Sequence, residues 1–130
     1  MSYGIATVVS GDVAAAIPRV KEALAAEGFG VLSEIDVAAT LKDRLGADVA
    51  AHVILGACNP PLALRAVTTD PSVGLLLPCN VVVRDDHGRT VVEAIDPAAL
   101  APAIDSPGLQ AVASEARDKL AAAIALLAGS

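Results

Sequence analysis

The chain has 130 residues, the length of a single domain, and 55% of them are hydrophobic but only 2% aromatic, which excludes a disordered chain and implies a core of close-packed aliphatic groups. Nine basic against fifteen acidic side chains give a net charge of −6, the wrong sign for nucleic acid or an anionic membrane surface, and base-stacking rings are missing as well. No run approaches the roughly 18–20 apolar residues of a membrane span, and Met1-Ser2-Tyr3-Gly4 lacks a basic-then-apolar leader. Two cysteines are too few for a disulfide scaffold, so the expectation is a soluble cytoplasmic protein with reduced thiols.

Tyr3 to Ser10 is short, apolar and β-branched and reads as a first strand, ended by Ser10-Gly11-Asp12. Asp12 then caps a helix with the stripe Val13, Ile17, Val20 and Leu24. Pro18 lies inside that stripe, so the helix either kinks there or becomes regular only near Ile17. Gly28 suits the left-handed position after its last turn. Phe29 to Asp36 reads as a second strand, and Val37 to Leu45 as a short helix closed by Gly46. Ala51 to Ala57 is a third strand, after which Asn59-Pro60-Pro61 opens a helix to about Thr69, stopped by Asp70-Pro71.

Leu75-Leu76-Leu77 and Val81-Val82-Val83 flank Pro78-Cys79-Asn80, an apolar run that predicts a strand buried on both faces with a break at Pro78. Asp85-Asp86-His87-Gly88 is a turn into a strand from Thr90 to Ile95. Asp96-Pro97 begins a loop or short helix through Ile104. After Ser106-Pro107-Gly108, the last helix carries Leu109, Val112, Ala116, Leu120, Ala123, Ile124 and Leu127 on one face, with Glu115 and Lys119 paired opposite. The order β-α-β-(α)-β-α-β-β-α predicts an α+β two-layer sandwich with a five-stranded mixed sheet and helices on one face. The abundant alanine reads as composition bias.

Two strings stand out: Ala57-Cys58-Asn59-Pro60 and Pro78-Cys79-Asn80-Val81. With Asn59 as helix cap, Cys58 lies just ahead of a helix N-terminus, where backbone N–H groups favour a thiolate. The alternative is that both cysteines are small buried hydrophobes. A strand-helix-strand unit normally forms a parallel crossover, which places the two thiols roughly 15 Å apart and disfavours an intramolecular disulfide, leaving a contact between subunits open. Metal binding has little support, with no Cys-x-x-Cys and with His52 and His87 as the two imidazoles. His87 belongs to a polar turn. His52 shares a strand face with Ile54, Gly56 and Cys58, either as part of a pocket or simply hydrogen-bonded. Glu34 and Asp36 also share a strand face, either as a metal or general-base pair or as solvent-facing carboxylates with Asp36 capping the next helix. No phosphate loop or Ser-His-Asp arrangement is placed.

Glu27-Gly28-Phe29-Gly30-Val31, Glu34-Ile35-Asp36-Val37, Ile54-Leu55-Gly56-Ala57-Cys58-Asn59-Pro60 and Leu75 to Val83, in this order and spacing, resemble the domain-of-unknown-function 302 family. The resemblance covers most of the chain. It implies a small bacterial or archaeal α+β domain that often crystallises as a homodimer and whose activity is unassigned. The family's characteristic positions fall on Gly28, Phe29, Glu34, Asp36, Cys58, Asn59, Pro60, Pro78, Cys79 and Asn80. Pro18 and the alanine-rich tail depart from the pattern.

Three functions follow as expectations. The first is a dimeric module binding a small ligand, metal or haem in a cleft lined by Cys58, Asn59, Cys79 and Asn80, with Glu34, Asp36 and His52 as further candidates. The second is thiol chemistry, as sulfur transfer or redox, with Cys58 as nucleophile. In the third, the Cys-Asn strings only shape the fold and the dimer, Asn59 capping a helix and Asn80 satisfying a broken ladder. The aliphatic excess favours a homodimer, since a domain of this size leaves apolar surface uncovered.

Overall fold

In the computed structural model, residues 3–128 and 130 are described; Met1, Ser2 and Gly129 lie outside them. Strands β1 (Gly4–Val9), β2 (Gly30–Asp36), β3 (His52–Cys58), β4 (Cys79–Asp86) and β5 (Arg89–Ile95) form one sheet in the order β1-β5-β4-β3-β2. The helices are α1 (Val13–Ala26), α2 (Val37–Leu45), α3 (Pro60–Thr69) and α4 (Pro107–Leu127). The architecture is the expected α+β sandwich.

The period-two alternation of the strands sends Val53, Leu55, Val81, Val83, Val92 and Ala94 to one face, all buried. They meet Val13, Ala16, Val20 and Leu24 of α1 and Leu120, Ala123, Ile124 and Leu127 of α4 in one aliphatic core. The seven stripe residues expected on α4 are all buried. Helix α1 begins at Val13, its Ala15 amide donating to Asp12 Oδ1, and runs through Pro18. Its packed face outweighs the single backbone donor that proline removes. A second apolar cluster joins Leu62 and Ala66 of α3 to Val73 and to Leu109, Val112 and Ala116 of α4.

Three expectations are corrected. The sheet is antiparallel at every neighbouring pair rather than mixed. Between β3 and β4 the ten residues of α3 carry the chain about 15 Å away, and a 3₁₀ segment, Pro71–Leu76, returns it to the end of the sheet it left. No parallel crossover forms, and Cys79 is laid beside Ala57. Second, Leu75 to Leu77 are not strand. The Asp70 carboxylate accepts from the Ser72 amide and starts the 3₁₀ turn, Val73 is its buried anchor, and Leu75 stands 88% exposed. Strand β4 begins only after the cis Leu77–Pro78 bond, so the break at Pro78 is where the proline predicts it. Third, Glu115 forms its ion pair with Arg65 of α3 rather than with Lys119.

The β4–β5 hairpin closes through His87 and Gly88, both at positive φ (51° and 88°), as a two-residue turn matched to strand twist requires. Among the described residues, no helix is long and apolar enough to cross a membrane.

Candidate functional site

Strand β3 delivers Cys58 to the sheet end, and Asn59 immediately caps α3. Its Oδ1 accepts from the Leu62 amide at 3.3 Å, while its Nδ2 donates to the Glu27 carbonyl at the end of α1, also at 3.3 Å. One 8%-exposed amide therefore ties two helix ends together. Gly28 makes this approach possible. Its φ is +84°, and a Cβ there would stand 3.0 Å from Asn59 Nδ2. Gly56, the residue before Ala57 on β3, admits a second close approach. A Cβ would collide with the Ser33 hydroxyl and lie 2.8 Å from Pro78 Cγ. Only glycine lets these side chains close over the strand.

Behind these contacts lies a cavity of about 440 Å³, where the two apolar clusters fail to meet. Phe29 and Ala57 of the main core form one section of its wall. Leu62, Ala63 and Ala66 of α3 and Val112 and Ala116 of α4 form another. Cys58, Asn59, Leu77, Pro78 and Cys79 complete the sheet end. A bulge between Val31 and Ser33 leaves Leu32 on the lining yet 72% exposed, at the mouth. A smaller void of about 70 Å³ shares Ala66, Leu77, Cys79, Val112 and Ala116 with it, so Cys79 borders both spaces.

The titratable side chains on the lining are the two thiols, both free and half-buried. Burial pushes the Cys79 thiol above its ordinary range, and negative charge on Cys58 pushes it the same way. The apolar walls suit a neutral guest. An ion would lose hydration with no opposite charge on the lining to replace it.

The other predicted residues lie elsewhere. Asn80 is exposed and pairs with Gly56 in the ladder, one strand step from Cys79 and so on the opposite face. Glu34 turns towards α1 and pairs with Lys21 at 2.9 Å. Asp36 caps α2 by accepting from the Ala39 amide at 2.9 Å. Lys42 of α2 pairs with Asp48 at 2.9 Å. His52 opens β3, six residues and about 20 Å from Cys58, and its ladder partner is Arg84. His87 is fully exposed in the hairpin turn. Among the described residues no group of three or more His, Cys, Asp or Glu gathers where a metal ion could be held. Sequence reasoning missed Ala63, Ala66 and Ala116, the small side chains that leave the space. Their signal was the alanine content set aside as bias, which gains meaning only once α3 and α4 are seen to face each other.

A family model described as "Domain of unknown function DUF302" matches residues 5–127. Among solved structures, the chain is similar to an uncharacterized conserved DUF302 protein from Bacillus stearothermophilus. The two share 32% sequence identity over 98% of this chain and 99% of that one, with a TM-score of 0.90. No curated protein matches the chain.

Proposed function

The chain belongs to the DUF302 family, and we propose that it is a binding module that takes up a small, neutral, largely apolar organic molecule in the cavity beside Cys58 and Cys79. The cavity itself carries the reading. Its volume of about 440 Å³ falls within the roughly 300–1,000 Å³ range of ligand sites. Its walls are aliphatic apart from Phe29, the Ser33 hydroxyl, the Asn59 amide and the thiols. The Asn59 amide is already engaged by Leu62 and Glu27, so it holds the wall rather than the guest. A guest hiding about 300 Å² of apolar surface gains about 7 kcal/mol before association costs, which places affinity in the micromolar range or weaker. The lining offers two sulfur donors and no histidine or carboxylate, which favours an organic guest over a metal ion.

The test is fluorescence titration with the neutral probe N-phenyl-1-naphthylamine. Saturable one-to-one binding is expected, and Ala63→Phe, which pushes a ring into the space from a half-buried helix position, should abolish it without changing the circular dichroism spectrum. Absence of binding, or equal binding by the folded variant, refutes the proposal. Two copies are proposed to associate, supported by apolar side chains left open at Leu32, Ile35 and Val8.

A further inference from the structure

We infer that the guest is an unbranched aliphatic chain with an uncharged polar head, its tail reaching through the cavity into the smaller void beside it. The inference names the ligand class of the binding reading above and rests on it. The arrangement of the two spaces carries it. Ala66, Leu77, Cys79, Val112 and Ala116 line both, so the spaces lie against each other. Three of these five side chains are small, which leaves little to separate one space from the next. The exposed mouth residues Leu32 and Ser33 belong to the cavity, whereas Val73, Leu76, Leu100, Ile104, Leu109 and Ala113 belong to the void. A path therefore runs from the mouth, past the shared residues, to the space under the 3₁₀ segments Pro71–Leu76 and Pro97–Ala103.

The lining changes along that path. The Ser33 hydroxyl and the Asn59 amide lie on the cavity. In the void every side chain is hydrocarbon except the Cys79 thiol, whose neutral form burial favours. A charged or hydrogen-bonding end would be stranded there, so the guest enters tail first and leaves its head beside Ser33. Width decides the shape of the tail. A methylene is close to a water molecule in size, about 30 Å³, so a void of about 70 Å³ takes two or three of them but not a ring. Phe29, the ring on the cavity lining, does not reach the void.

The experiment displaces N-phenyl-1-naphthylamine with n-alkyl maltosides, hexyl to dodecyl, below their micelle concentrations; the sugar holds the head at the mouth. In the native chain affinity is expected to rise about fourfold per methylene. The native chain should also bind 6-cyclohexylhexyl maltoside, whose twelve tail carbons end in a ring, at least tenfold more weakly than dodecyl maltoside. Ala113→Leu fills the void from a buried position on α4, and Ile104→Trp fills it from a half-buried position ahead of that helix. In each variant that keeps the native circular dichroism spectrum, the affinity ratio of dodecyl to hexyl maltoside should fall at least tenfold. Equal affinity for the ring-ended and straight tails, or a ratio unchanged in a folded variant, overturns the inference. Either result with the naphthylamine still bound by the native chain sinks the chain-shaped guest alone. Absence of probe binding sinks the cavity reading and this one with it.

Discussion

Gly28→Ala tests the contact that joins α1 to the cavity wall. The residue has φ +84°, and an added Cβ would stand 3.0 Å from Asn59 Nδ2. Gly88 supplies the reference: its φ is +88°, and a Cβ added there would meet nothing within 4 Å. Forcing alanine into the left-handed region costs about 1–2 kcal/mol at either site. At Gly28 the Asn59 amide must also retreat from the Glu27 carbonyl, losing a hydrogen bond worth about 1 kcal/mol. Gly88→Ala should therefore cost about 1–2 kcal/mol and Gly28→Ala about 2–3 kcal/mol in urea unfolding followed by circular dichroism. In an Asn59→Ala background the extra cost at Gly28 should vanish, leaving the two glycine changes equal. Equal costs in the native background, or an excess at Gly28 that survives Asn59→Ala, would refute the coupling.

Three further outcomes concern the thiols and the exposed apolar surface. Burial raises the Cys79 thiol, so folding favours its neutral form. That contribution is fully present below the ordinary thiol value of about 8.5 and is lost as pH rises through the raised one. Stability should decline across that alkaline window in the native chain and less so in Cys79→Ser, while iodoacetamide should label native Cys58 before Cys79; the reverse order would contradict the burial argument. For self-association, equilibrium sedimentation at micromolar concentration should return twice the chain mass, and a monomer at every concentration would remove the proposal.

Helix faces were legible because the 3.6-residue period is local: every stripe residue expected on α4 is buried, and Asp12, Asp36, Asn59 and Ser106 all cap as their chemistry predicts. Strand direction was not legible. Whether β4 runs with or against β3 depends on how Pro71–Leu76 turns, and its leucines suit a buried strand or a 3₁₀ return equally well. That one ambiguity hid the site, since the arrival of Cys58 and Cys79 at the same end of the sheet is a consequence of direction. His52 shows the complementary error. It shares a strand face with Cys58, as alternation requires, yet six residues along a strand is about 20 Å, and a shared face says nothing about distance. Leu32 was invisible for another reason, because a bulge shifts register without altering composition.

The scarcity of aromatic residues acquires a structural meaning at the cavity. A core built from Val, Leu and Ala packs densely where two matched apolar faces meet, as β3, β4 and β5 meet α1 and α4. Where α3 joins from the side, Ala63, Ala66 and Ala116 stand on the lining beside Leu62 and Val112, and their small side chains leave space. Phe29 is the one ring on that lining, buried in the main core, while Tyr3 is exposed and lies elsewhere. A flat conjugated guest such as haem would find a ring on one side and aliphatic groups on the others. A flexible aliphatic guest loses nothing by that arrangement, because dispersion and burial need contact area rather than stacking. The same alanines that make the space therefore bias it towards aliphatic chemistry, and the thiols at its sheet end are the reactive groups such a guest would meet.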